Sequence, residues 1–223
     1  MMDQLFLNLL QRDFRRAHGF VSLRFGPRFA PYGAIIGAAQ PGFQRARRSL
    51  PATASAAYNA LVMESYRVRI AKDSLVFSAG HFITLGDGAC ERLHGHNYRV
   101  AAEVCGPLDE NHYVVDFIAL RDTLRSILDE LDHRMLLPTD HPQVRVAVEG
   151  REVAVTFADR RWVFPRDDCA LLPVPNTTAE MLARYIGLRL QDEFGERTGS
   201  RPAGVRIEVD ECFGQSALWE TQG

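Results

Sequence analysis

No stretch of this chain approaches the roughly 18 consecutive apolar residues that a membrane-spanning helix needs, so a transmembrane protein is not expected. Excess charge is also missing. The formal net charge is −2, which argues against a general nucleic-acid binder. There are four cysteines, Cys90, Cys105, Cys169 and Cys212, far apart and without a C-x-x-C pair. That density does not build a disulfide framework and points to a reducing, cytoplasmic setting. Internal repeats are absent as well. The length of 223 residues, with 46% hydrophobic and 24% charged residues, suits one soluble globular domain with an appendage.

The charge that is present is unevenly spread. Residues 1–62 hold eight arginines, no lysine and two acids, Asp3 and Asp13, a balance of +6, which leaves −8 for the remainder. This segment is rich in Gly, Pro, Ala and Arg and sustains no period. It reads as an Arg-rich transit segment, as a disordered arm, or as sequence upstream of a true start at Met63. The last is favoured because orderly alternation begins just after Met63.

From there the pattern predicts an α+β fold. "YRVRI", "DSLVFSAGHFI" and "HNYRVAAEVCG" read as strands, the third with Tyr98, Val100, Ala102 and Val104 on one face. Phe117, Leu120, Leu124, Ile127, Leu128 and Leu131 predict a helix over 117–133, with Asp116 as its N-cap. Residues 142–165 read as an inserted hairpin turning at "EGRE". "NTTAEMLARYIGLRLQDEF" predicts a second helix, with Thr177 and Glu180 at capping-box spacing and Leu182, Tyr185, Ile186 and Leu190 as its buried stripe. "GVRIEVDE" and "SALWE" close the chain as strands. The expected architecture is an antiparallel four-stranded sheet with two helices on one face, plus the inserted hairpin.

One stretch, "CERLHGHNY", concentrates chemistry. In a strand, side chains two apart share a face, so His94 and His96 project together with Gly95 opposite. Two imidazoles so placed can share a metal ion, and His81 in "FSAGHF" is a natural third ligand from the preceding strand. Three neutral imidazoles would leave a zinc site cationic, suited to polarising a hydroxyl or carbonyl. Cys90 reads as a small buried residue, a further ligand, or a nucleophile or base whose thiol pKa a nearby zinc ion and His⁺ would lower. Its neighbour Glu91 is ordinarily a solvated charge. Asp132 and His133, in "LDHRML", fit either a helix-terminal cap or an acid–base pair facing the cleft. Glu211, in "VDECFG", fits either a solvent-facing strand position or a carboxylate that accepts a ring N–H and an amino group side by side.

Taken together, "FSAGH", "CERLHGHNY", "VVDF", "LDHRML", "NTTAE" and "IEVDE" resemble the 6-pyruvoyl-tetrahydropterin synthase / 6-carboxytetrahydropterin synthase family, in its order, across residues 65–220. The resemblance implies the tunnelling fold and a homo-oligomer, trimer or hexamer, with active sites at subunit interfaces. It implies Zn²⁺ bound by His81, His94 and His96, Cys90 as catalytic thiol, Asp132 with His133 as its acid–base partners, and Glu211 as pterin anchor, with Thr178 and Glu180 in the pterin pocket. The gap of three residues between Cys90 and His94 resembles bacterial 6-carboxytetrahydropterin synthases of queuosine biosynthesis. Glu91 beside Cys90 resembles a subgroup that also makes 6-hydroxymethyl-dihydropterin for folate. The implied substrate is 7,8-dihydroneopterin triphosphate, split with loss of acetaldehyde and triphosphate, with neither a nucleic acid nor a membrane as partner. Two competing readings are a 6-pyruvoyl-tetrahydropterin synthase, which eliminates triphosphate without carbon–carbon cleavage, and a zinc-binding relic without activity. The 142–165 insertion and residues 1–62 have no counterpart in the compact family pattern.

Overall fold

A computed structural model describes residues 64–221 other than 87 and 213, so the expectations for residues 1–62 lie outside the described residues. Ten strands and two α-helices follow in the order β1 (Tyr66–Ile70), β2 (Val76–His81), β3 (His94–Gly106), α1 (Phe117–Asp129), β4 (Arg134–Pro138), β5 (Arg145–Glu149), β6 (Glu152–Phe157), β7 (Arg160–Pro165), β8 (Cys169–Leu172), α2 (Ala179–Thr198), β9 (Gly204–Cys212) and β10 (Gln215–Thr221).

The long strand β3 organises the main sheet. One edge pairs with β2 through His94–Arg99 and with β1 through Ala102–Gly106, and the other edge pairs with β9, which pairs with β10. All these pairings are antiparallel, as expected. Tyr98, Val100, Ala102 and Val104 alternate into the core on one face of β3, as their spacing predicts. Against that face pack Leu120, Leu124, Ile127 and Leu128 of α1 and Leu182, Ile186, Leu190 and Phe194 of α2. The opposite face carries exposed ion pairs, Arg67 to Glu103 at 3.3 Å and Arg69 to Glu208 at 2.9 Å.

The sheet is wider than the four strands expected. β4 joins the far edge of β2 and β8 joins β4, both in parallel, giving the order β10-β9-β3-β2-β4-β8 with β1 beside β3. "RMLLP" and "CALL" are short apolar runs buried on both faces, so they lack the alternation that marks a half-exposed strand. The insertion is also more than a hairpin: β5, β6 and β7 form a separate three-stranded antiparallel sheet. Val144, Val153, Val155 and Phe157 close a second core with Phe82, Met135, Leu137 and Cys169.

Both helix ends nearest the candidate site differ in detail from expectation. α1 stops at Asp129, not His133, because the chain tightens through Leu131 N–H to Leu128 O and then enters the left-handed region at His133, φ 55°. Asp116 caps its start, accepting from Ile118 N–H at 2.7 Å. α2 is capped by Thr178, whose hydroxyl accepts from Met181 N–H, rather than by Thr177. Tyr185 is half-buried rather than part of a fully buried stripe. All four cysteines are free.

Candidate active site

Strand register assembles the histidines. β2 and β3 pair antiparallel with His81 opposite His94, and His96 lies two residues on, so all three side chains stand on one face at one end of the sheet. Their ring centroids lie 4.6 Å (His81–His94), 5.2 Å (His81–His96) and 4.9 Å (His94–His96) apart. One nitrogen from each lies within 4.8 Å of the others. The intervening Gly95 faces Gly80, and a Cβ on Gly95 would lie 2.9 Å from the Ala79 carbonyl oxygen. Only glycine lets the two strands approach this closely between His94 and His96.

Hydrogen bonds to backbone orient two of the rings. His81 Nδ1 donates to the Thr177 carbonyl at 2.9 Å, and His94 Nδ1 donates to the Arg92 carbonyl at 2.8 Å. Each bond fixes the proton on Nδ1 and leaves the Nε2 lone pair facing the cluster. His81 is buried, 1% exposed, and its Nε2 has no hydrogen-bond partner. An orphaned buried nitrogen of this kind is costly unless something coordinates it. Burial pushes His81 below the ordinary imidazole value, the Thr177 carbonyl opposing and His94 reinforcing, so the ring is neutral and ligand-competent at neutral pH. The donor set, three imidazoles with an open side, therefore fits a divalent cation of the zinc type.

Glu211 borders the same trio. Its Oε1 lies 3.5 Å from His81 Nε2 and 3.6 Å from His96 Nε2, and it accepts from Tyr98 OH at 3.4 Å. Burial, then the Glu211 carboxylate, push the Tyr98 phenol up, which keeps it a donor. Glu211, Thr178 and Glu180 together line a cavity of about 350 Å³ with Ile83, Gln215 and Ser216, so the residues assigned to substrate binding do converge. On the other side His94, His96 and His133 line a cleft of about 580 Å³ with Ser78, Asn97 and Asp168. His94 and His96 border the larger of these two spaces, and Glu211 joins the smaller one to the trio.

The Asp132–His133 pair is tied to β2 as well as to the end of α1, where Asp132 N–H donates to the Leu128 carbonyl at 3.0 Å. Asp132 Oδ1 accepts the Ser78 N–H at 2.7 Å, and His133 N–H donates back to the Ser78 carbonyl at 2.6 Å. Asp132 Oδ2 lies 3.0 Å from Nδ1 of His133, whose ring is 82% exposed. The Ser78 amide first, and His133 after it, hold the Asp132 carboxyl below the usual carboxylate range.

Cys90 and Glu91 lie on the loop joining β2 to β3. Thr84 bridges to Cys90, and Glu91 N–H donates to the Ile83 carbonyl at 2.9 Å. Glu91 Oε2 comes within 3.9 Å of His94 Nε2, whereas Cys90 lines neither of the two spaces beside the trio. The lowered thiol pKa expected from sequence is not what the protein alone imposes. Cys90 is half-buried against the second core, and burial pushes its thiol up, with Arg160 opposing and Glu91 adding.

Sequence reasoning missed several supporting residues. Tyr98 continues the His94, His96 alternation, and that spacing could have flagged it. Thr177 serves the site as well as its neighbour serves the helix: its carbonyl holds His81, and its hydroxyl donates to the Phe82 carbonyl at 2.8 Å. Asn176 ties the same segment to Thr84, donating to its carbonyl at 3.0 Å. Ser78 and Arg160 act on or through backbone and carry no sequence signal.

Proteins of known name resemble this chain in sequence and in fold. A Bacillus subtilis 6-carboxy-5,6,7,8-tetrahydropterin synthase is 37% identical over 148 residues, spanning 66% of this chain and 80% of its own length. The enzyme of the same name from Aquifex aeolicus is 29% identical over 161 residues, spanning 65% of this chain and 88% of its own. The crystal structure of 6-pyruvoyl tetrahydropterin synthase from Plasmodium vivax superposes with a TM-score of 0.66 at 25% identity, covering 71% of this chain and 99% of that one. The family model for 6-pyruvoyl tetrahydropterin synthase matches residues 70–221, which contain the histidine trio, the Cys90 loop, the Asp132–His133 pair and Glu211, and the chain accordingly belongs to that family.

Proposed function

We propose that the protein is a zinc-dependent 6-carboxy-5,6,7,8-tetrahydropterin synthase of the cytoplasm. It would convert 7,8-dihydroneopterin triphosphate and water into 6-carboxytetrahydropterin, acetaldehyde and triphosphate, on the route to queuosine. The observation that carries this reading is the buried, partnerless Nε2 of His81 at the centre of three convergent imidazoles, directly beside the Glu211 carboxylate. The relatives from Bacillus subtilis and Aquifex aeolicus carry this activity in their names.

His81, His94 and His96 would hold the ion. Bound there, zinc supplies a Lewis acid that makes the side-chain hydroxyls of the substrate easier to deprotonate. Glu211 accepts the ring N–H and amino group of the pterin, with Tyr98 OH holding its carboxylate in place. Thr178 and Glu180 close the cavity around the ring. Cys90, as the thiolate that a cation held by the trio would favour, would take a proton from the side chain of the substrate, and His133, held by Asp132, would move the second. The 82% exposure of His133 suits a group whose surroundings are completed by a neighbouring subunit of a homo-oligomer.

Glu91 favours a second product. Its carboxylate approaches the metal-binding trio within 3.9 Å of His94 Nε2, and variants of the Plasmodium vivax relative replace a glutamate described as its catalytic residue. Glu91 acting as base on a side-chain hydroxyl would break the bond between the first and second side-chain carbons in retro-aldol fashion, yielding 6-hydroxymethyl-dihydropterin, a folate precursor, and a two-carbon aldehyde that keeps the triphosphate.

The test is a product assay. The zinc-loaded full chain is incubated with 7,8-dihydroneopterin triphosphate and the products are identified by mass spectrometry. 6-Carboxytetrahydropterin is expected, and Glu91→Gln should abolish any hydroxymethyl product while sparing it. 6-Pyruvoyl-tetrahydropterin alone would move the protein to the elimination chemistry named for its Plasmodium vivax neighbour. Zinc binding without turnover of any pterin would make it a relic.

A further inference from the structure

The inserted sheet reaches back to the loop that carries Cys90 and Glu91. Arg160, the first residue of β7, donates from Nη1 to the Cys90 carbonyl at 2.7 Å and to the Glu91 carbonyl at 3.0 Å. Its guanidinium lies over the Trp162 ring, 4.6 Å from the centroid. Trp162 is in turn stacked on Phe82, centroids 4.9 Å apart and planes 15° from parallel. Phe82 is buried and follows His81 directly. Two residues on one face of β7 thus grip both ends of the site: Trp162 backs the end of β2 that carries His81, and Arg160 holds the peptide that joins Cys90 to Glu91.

We propose that Arg160 is a positioning residue for the reaction, and that the β5–β7 insertion serves as a brace fixing the Cys90–Glu91 peptide against the histidine site. This rests on the reading of Cys90 and Glu91 as reacting groups given above. The physical need is plain. Two consecutive carbonyl oxygens aimed at one point repel each other unless a cation lies between them, and charge-assisted donors make the stronger hydrogen bonds. The planar guanidinium can donate to both oxygens while its face rests on an indole, which a lysine ammonium cannot reproduce. Groups on a loop hold a productive geometry only when their backbone is fixed by a second layer of contacts. The loop's own ties, Leu85 N–H to Ala89 O at 2.8 Å and Glu91 N–H to Ile83 O at 2.9 Å, close the turn, and Asn176 and His141 hold its first arm at Thr84. Arg160 holds the second arm, at Cys90 and Glu91.

The experiment compares Arg160→Ala, Arg160→Lys and, as control, Arg161→Ala, whose side chain is exposed on the other face of β7. All are made in the full, zinc-loaded chain. In Arg160→Ala, kcat for 7,8-dihydroneopterin triphosphate should fall about 10- to 100-fold, the range expected when a reacting group is displaced by about 1 Å. KM and zinc content should stay near parental, and millimolar guanidinium should restore part of the lost rate. Arg160→Lys should lie between, and Arg161→Ala should match the parent. Hydrogen exchange gives a readout that needs no turnover: amides of 83–93 should exchange faster in Arg160→Ala while those of α2 do not change. Parental kcat with parental exchange in Arg160→Ala would overturn the proposal. So would a loss of activity that comes with loss of zinc or of global protection and that guanidinium does not rescue, since that marks a merely structural arginine. If the parent itself turned over no pterin, the functional reading would fall, while the exchange comparison would still decide whether Arg160 braces the loop.

Discussion

Asp132 makes two interactions of unequal weight, and separating them tests the reading of this site. Its Oδ1 accepts the Ser78 amide at 2.7 Å, and its Oδ2 faces His133 Nδ1 at 3.0 Å. The histidine ring is 82% exposed, so water screens its contact with the carboxylate, which is worth at most about 1 kcal/mol. Asp132→Ala strands the Ser78 N–H, a half-buried backbone donor whose orphaning costs about 1–3 kcal/mol. For a chain of this size about 1 kcal/mol corresponds to a Tm shift of roughly 2–4 °C. Asp132→Ala should therefore lower Tm by roughly 2–12 °C. His133→Asn, chosen because Asn tolerates the φ of 55°, should stay within about 1 kcal/mol of the parent. Both should reduce kcat by about 100-fold or more if the pair moves a proton. Circular-dichroism melts of the zinc-loaded chain and steady-state kinetics read both quantities. The pH dependence has a definite sign. The folded carboxyl is held below its ordinary value of 3.8, so its contribution is complete above that value and lost as pH falls through the depressed one. The Tm gap between parent and Asp132→Ala should accordingly be full at neutral pH and close in acid. Equal melting losses in the two variants, or a parental Tm in Asp132→Ala, would refute the assignment of the Ser78 bond as the dominant tie.

Three further outcomes are expected. Gly95→Ala drives a Cβ to 2.9 Å from the Ala79 carbonyl, so it should cost about 1–3 kcal/mol by overpacking, and a chelator-competition titration should show zinc affinity falling about 10- to 100-fold; unchanged affinity would mean the strands have room to spare. Zinc at about 100 times its Kd should stabilise the chain by about 2.7 kcal/mol in a thermal melt, and His81→Ala should erase that gain, whereas persistence of the gain would place the ion elsewhere. His141 is buried, its Nδ1 accepts the Gln143 and Val144 amides at 2.9 and 2.8 Å, and burial lowers its pKa from 6.5. The unfolded chain takes up that proton first, so protection of the Gln143 and Val144 amides should be complete above 6.5 and weaken as pH falls below it; flat protection from neutral to mildly acidic pH would contradict this.

The chemistry was legible where it followed a local period. His94 and His96 share a face because strand side chains repeat every two residues, and the same rule placed Tyr98, Val100, Ala102 and Val104 in the core. The apolar spacing of α1 and the cap at Asp116 were equally local. Strands β4 and β8 escaped because burial on both faces erases alternation. β7 does alternate, with Arg160, Trp162 and Phe164 turned inward, but the pattern is masked by adjacent charges and a turn at Ala158 with φ 50°. Thr177 and Thr178 stand side by side with similar side chains, and only the folded backbone decides which caps the helix and which serves His81.

By itself, then, the sequence determined the α+β class and the shared face of His94 and His96, with His81 as a candidate to join them. These depend on side-chain identity and short-range periodicity, which the chain displays openly. Tertiary structure alone decided which Nε2 is buried without a partner, that Glu211 touches the trio, and that burial raises the Cys90 thiol. It also decided that Ser78 holds Asp132 and that Arg160 holds the Cys90 loop across 70 residues. Those contacts end on backbone amides and carbonyls, which every residue possesses, so no residue type announces them; they exist only once register and packing bring distant segments together.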